Sequence, residues 1–171
     1  MLSKIDFELF PGKGLRKFTF GMNPEEVVFI LGKPEETEWL DEEAEEALID
    51  VSSPSYEPTP DAVLVYYYWD NYLTLFFSGE KHDKLTGIEC DHDEMVLWDE
   101  KIYQKGVKFI RELLRSHKVY DVETIEEAWG EQVLSVESLG IDFYFEKDLL
   151  SSVNLSAWFD GNGNIVDSDK V

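Results

Sequence analysis

The stretch Phe20-Gly21-Met22-Asn23-Pro24-Glu25-Glu26-Val27-Val28-Phe29-Ile30-Leu31-Gly32-Lys33-Pro34 carries the boundary signals of a short helix at both ends. Asn23 offers a side-chain oxygen to a free N–H of the first turn, and Pro24 stands where no N–H is needed. Glu26, three residues after Asn23, completes a capping box and favours the positive end of the helix. Gly32 supplies a left-handed stop, and Pro34 forbids continuation. Val27, Ile30 and Leu31 fall on one face, so the stretch predicts a small helix lying on a sheet.

Further along the chain, Tyr120-Asp121-Val122-Glu123-Thr124-Ile125-Glu126-Glu127-Ala128-Trp129-Gly130 follows the same plan. One constant shift pairs Asp121 with Asn23, Ile125 with Val27, Trp129 with Leu31 and Gly130 with Gly32. Each predicted helix is followed by an aromatic strand, Tyr72 to Phe77 in one case and Ile141 to Phe145 in the other. A polar turn and a further strand come next, Leu85 to Glu89 and then Ser152 to Phe159. Agreement of boundary chemistry with element order points to a diverged internal repeat. The expected fold class is α+β, with two diverged helix-plus-antiparallel-sheet repeats forming one tandem, layered domain. Residues 1–98 make the first repeat, with an acidic insertion at 35–61. Residues 99–171 make the second, led by a long amphipathic helix.

Other segments fill in this plan. Ile5 to Phe10 alternates as a half-buried strand, and Leu15 to Phe20 alternates again after the turn at Pro11-Gly12-Lys13-Gly14. Val63 to Trp69, a tight polar connector at Asp70-Asn71, and Tyr72 to Phe77 read as a hairpin. Over residues 99–118, Ile102, Gly106, Phe109, Ile110, Leu113 and Leu114 make the apolar stripe of a long helix. Its other face carries Lys101, Lys105, Lys108, Arg111, Arg115 and Lys118.

With 171 residues, 43% hydrophobic and 14% aromatic, the chain has enough apolar matter for a packed interior. No apolar run approaches a membrane span, and the start Met1-Leu2-Ser3-Lys4-Ile5-Asp6 lacks the apolar core of a signal peptide. With a single cysteine, Cys90, the expected compartment is the reducing cytoplasm. The formal charge of −22 is unevenly spread: residues 35–61 hold eleven acidic groups and no Lys or Arg. Such a balance disfavours nucleic acid and anionic membrane, which both demand cationic groups. It suits a basic protein partner, whose encounter complementary fields accelerate. The expected partner-binding surface joins aromatic anchors Trp39, Tyr56, Tyr67 and Trp69 to the acids Asp41, Glu42, Glu43, Glu45 and Glu46. The crowded carboxylates of the insertion predict a mobile segment.

Signals for chemistry are sparse. Cys90-Asp91-His92-Asp93-Glu94 is the one cluster with metal-ligand residue types, and in a strand Cys90, His92 and Glu94 share a face. This is the alternative reading, a small-molecule or metal-binding protein using residues 90–94. No nucleophile elbow or phosphate-binding loop is present, so neither an enzyme nor a cofactor is expected.

The motif from Phe20 to Val27, followed by Leu31-Gly32-Lys33-Pro34, resembles the repeat signature of the BamE (SmpA)-like superfamily. The beta-lactamase inhibitor protein, a tandem of such units, has a similar architecture. The resemblance implies small helices packed on an antiparallel sheet and used to bind proteins rather than to catalyse. Together with the acidity, this leads to the expectation of a cytosolic immunity or inhibitor protein that neutralises a basic toxin or enzyme.

Overall fold

A computed structural model describes residues 2–128 and 130–167. Its dominant element is an eight-stranded antiparallel sheet built from two four-stranded meanders. The first comprises β3 (Glu36–Leu40), β4 (Val63–Tyr68), β5 (Leu73–Ser78) and β6 (Lys84–Cys90). The second comprises β9 (Val122–Glu126), β10 (Gln132–Val136), β11 (Ile141–Glu146) and β12 (Leu149–Ser156). They join through β6 and β12, giving the order β3-β4-β5-β6-β12-β11-β10-β9. A small mixed sheet contains β1 (Glu8–Phe10), β2 (Gly14–Leu15), β7 (Val96–Leu97) and β8 (Glu100–Lys101), in the order β2-β1-β7-β8 with β1 and β7 parallel. Among the described residues, three short α-helices complete the fold: α1 (Pro24–Leu31), α2 (Glu42–Glu46) and α3 (Val107–Ser116).

The register sorts side chains by parity, as a period of two requires. Tyr66, Leu75, Ile88, Leu155, Ile141, Val136 and Val122 are consecutive cross-strand neighbours in one row. This row faces the core, where Val27 of α1, Ile110 and Leu114 of α3, and Leu9, Leu15 and Leu97 of the small sheet pack against the large sheet. One apolar cluster thus draws on both halves of the chain. The opposite face of the large sheet is open over its middle, while Val65 of β4 is fully buried on it and Ala44 of α2 and Ala62 are buried in the segment between β3 and β4.

Helix α1 forms as the residues dictate. The Asn23 carboxamide oxygen accepts from the Glu26 N–H at 2.8 Å, and Glu26 reaches back to the Asn23 N–H at 3.4 Å. Gly32 takes a φ of 81°, and its N–H reaches the Val28 carbonyl. The Tyr68 hydroxyl donates to the Gly32 carbonyl at 2.9 Å, tying the helix end to the sheet. The long basic helix is shorter than residues 99–118. Glu100 and Lys101 pair in the small sheet, and Gln104 (φ 58°) and Lys105 exchange main-chain bonds with Leu150 before the helix starts.

The fold class requires correction. The protein is predominantly antiparallel β with few helices, and is not a pair of helix-plus-antiparallel-sheet repeats. The decisive segment is Asp121 to Gly130, which does not form a second capped helix. Val122–Glu126 is strand β9, and Trp129 lies outside the described residues. The Asp121 carboxylate, which would have capped that helix, instead accepts from the Ser138 N–H and hydroxyl at 2.7 and 2.6 Å. Val122, Thr124 and Ile125 are β-branched, and pairing with β10 outweighs the local capping signal. The insertion is also more ordered than its charge implies, since it contains β3 and α2.

Candidate functional site

The open face of the large sheet carries one residue from every strand in a continuous cross-strand row. In order these are Glu36, Tyr67, Thr74, Glu89, Asn154, Asp142, Ser135 and Glu123. Each is the immediate chain neighbour, or lies on the same strand, of a residue that faces the core. Burying the apolar parity therefore forces this polar parity onto the opposite face. Four of the eight are carboxylates. Phe76 and Tyr144 flank the row, half-buried.

The charges on this face crowd one another. Burial raises the carboxyl of Glu89 above its ordinary range, and the neighbouring Asp91 carboxylate adds to the effect. Burial likewise raises Asp91 and, with the Asp142 carboxylate, the Tyr144 hydroxyl. Tyr67 donates to Glu38 at 2.6 Å, and this bond, with burial and the nearby acids Glu38, Glu36 and Glu89, pushes its hydroxyl up to about 12. Ser135 donates to Asp142 at 2.6 Å and holds that carboxylate in place.

A carboxyl with a raised pKa favours its neutral form in the folded state. Its contribution to stability is complete below the ordinary carboxylate range and is lost as pH rises through the raised value. Glu89→Gln is therefore expected to raise Tm at pH 7 by roughly 2–4 °C. The gain should vanish near pH 4, as measured by calorimetry at both values.

Two acidic grooves lie toward the ends of the large sheet's strands. At the β3 margin, a groove of about 510 Å³ is lined by Leu40, Asp41, Glu42, Glu43, Glu46, Asp61 and Val63. Around the turn between β10 and β11, a groove of about 690 Å³ includes Glu123, Glu137, Asp142, Trp158 and Phe159.

The structure divides the sequence-predicted partner residues. Glu42, Glu43, Glu45 and Glu46 are exposed on α2. Tyr67 lies on the open face, with the Trp69 ring 5.7 Å from its own, and Trp69 remains 55% exposed. Trp39, Tyr56 and Asp41 serve the interior of the insertion. Trp39 meets the edges of Tyr56 and His82 at 6.1 and 5.1 Å. Asp41, only 6% exposed, accepts from the Ala44 N–H, the Tyr56 hydroxyl, and the Thr59 N–H and hydroxyl. The Tyr56 bond leads in holding the Asp41 carboxyl down to about 2. Burial and that same carboxylate push Tyr56 up to about 12.

Asp41 thus anchors residues 41–59 on themselves. A depressed carboxyl contributes stability above its ordinary value of 3.8 and loses it as pH falls toward 2. Acidification across that window, or Asp41→Ala at neutral pH, should loosen the insertion. Limited proteolysis within residues 50–60 should accelerate several-fold while the sheet stays intact.

The metal candidates are not brought together. Cys90 is fully buried on the core face, and burial pushes its thiol up to about 12. His92 stacks on Phe7 at 3.7 Å, and its Nδ1 accepts from the Glu94 N–H at 3.0 Å. Glu94 pairs with Lys101 at 3.4 Å. Among the described residues, no group of three or more His, Cys, Asp or Glu is placed to hold a metal ion. The reading from sequence missed Glu36, Thr74, Glu89, Asn154, Asp142, Ser135 and Glu123. The alternation within each strand was the available signal, but the register that aligns them is set by pairing across the whole chain.

No protein-family model and no curated protein matches the sequence. Among solved structures, the chain is similar to an extracellular protein containing an SCP domain from Bacillus anthracis. The TM-score is 0.42 and the identity 11%, over 80% of this chain and 43% of that one. The chain therefore spans less than half the length of that protein.

Proposed function

We propose that this protein is a non-catalytic binding module that docks a basic protein on the open face of its eight-stranded sheet. The observation that carries this reading is the cross-strand row with its four carboxylates, which runs into an acidic groove through Asp142, Ser135 and Glu123. Crowded, partly desolvated negative charge is destabilising in the free protein and is relieved when cationic groups approach. The rings of Tyr67, Trp69, Phe76 and Tyr144 supply the apolar contact that holds such a complex once formed. An eight-stranded sheet is roughly 35 Å wide at its strand spacing, wide enough for an interface of ordinary size. The narrower form of the proposal is an immunity or inhibitor protein. It would cover the positively charged surface with which a basic toxin or enzyme holds its own substrate.

Capture on the immobilised protein at low salt, followed by calorimetric titration of each purified captured protein, tests the reading. The expected result is a cationic partner that binds one to one, with affinity falling steeply as salt rises. Salt-independent binding, or capture of acidic proteins alone, would overturn it.

A further inference from the structure

We infer that the partner engages this protein by adding a basic extended segment as a ninth strand alongside β9; this rests on the protein-binding reading above. Strand β9 closes the order of the large sheet and, among the described residues, pairs only with β10, so its outer edge presents main-chain donors and acceptors. Glu123, Thr124, Ile125 and Glu126 are all exposed, and Ile125 keeps 41% of its surface in solvent. On the core side, the Arg111 guanidinium of α3 donates to the Thr124 hydroxyl.

Charge selects the occupant. From Lys118 to Lys147 the sequence contains eight Asp or Glu and no Lys or Arg between those two lysines. A second copy pairing edge to edge would crowd the glutamates of the two strands against each other, and like charges across a pair are destabilising. A strand that places Lys or Arg beside Glu123 on one face, or Glu126 on the other, turns that repulsion into attraction. Glu123 belongs both to the edge and to the 690 Å³ groove, where Glu137, Asp142, Trp158 and Phe159 offer a cationic side chain carboxylates and ring faces together. Strand addition supplies affinity through the main chain, and the groove supplies selection for a cation.

The test uses a short blocked peptide of alternating lysine and valine, a version of it with an N-methyl group on every amide so that neither edge can donate, and the partner found by capture. The expected result is slowed hydrogen exchange at residues 122–126 with the unmodified peptide. The N-methylated peptide, equal in charge but unable to pair, should bind about tenfold or more weakly. Glu123→Lys with Glu126→Lys should weaken the unmodified peptide to a similar degree, its fold being checked by circular dichroism. Equal binding of the two peptides, or protection absent from residues 122–126, would overturn strand addition. If a captured basic protein still bound the open face in that case, the functional reading would survive. If neither peptide nor any basic protein bound, both would fall.

Discussion

Glu89→Lys combined with Asp142→Lys is expected to weaken the basic partner's binding about a hundredfold or more, while leaving the protein folded. Both residues stand in the central cross-strand row, on adjacent or near-adjacent strands β6 and β11 separated only by β12. Reversal removes two attractive contacts and introduces two like-charge ones, and such juxtapositions cost on the order of several kcal/mol at an interface. Folding should tolerate the change, because a lysine stem can lie along the sheet with its ammonium in water. The raised carboxyl of Glu89 also means that removing its charge relieves crowding. The comparison that isolates the face is Glu42→Gln with Glu45→Gln on α2. That pair removes charge at the β3 margin without touching the row, so its effect should be confined to a modest, salt-sensitive slowing of association. Titration calorimetry and stopped-flow association on both variants check this. A large loss from the α2 pair with little from the row pair would place the interface on the insertion instead of the sheet.

Phe143→Ala is expected to destabilise the protein by about 3–5 kcal/mol, lowering Tm by roughly 10 °C. Phe143 is completely buried on β11, with Leu134 and Val153 as its cross-strand partners on the core face. The neighbouring strands cannot collapse into the vacated space without breaking their ladders, so most of the cavity persists. Phe29 makes the control. It lies on α1 but is 92% exposed, and Phe29→Ala should change stability by less than about 0.5 kcal/mol. Urea denaturation should show a lower midpoint for Phe143→Ala with an unchanged slope, and no shift for Phe29→Ala. A change in Phe143→Ala below about 1 kcal/mol would contradict the packing described.

Much of the local structure was legible in the residues. The capping box of α1 is a conversation between Asn23 and Glu26 three residues apart, so no distant contact was required to read it. The strands β4, β5, β6, β11 and β12 announced themselves by aromatic and β-branched runs between polar turns. The segment after Lys118 misled, for an equally physical reason. Asp121 is a sound helix cap in isolation, but Ser138, seventeen positions away, claims its carboxylate. The insertion misled in a related way, because its acidity hid that Asp41 gathers Ala44, Tyr56 and Thr59 around one carboxylate.

The sequence by itself determined the alternation of strands such as β5 and β11, the capped helix α1, the apolar stripe of α3 and the negative charge that any partner must meet. Only the tertiary structure decided that Asp121 to Gly130 would contribute an edge strand and that eight residues from distant positions would align on one open face. Parity and capping are settled by neighbours within a few residues. Register and edge position are settled by which strands pair, and pairing is driven by burial of a core to which the whole chain contributes.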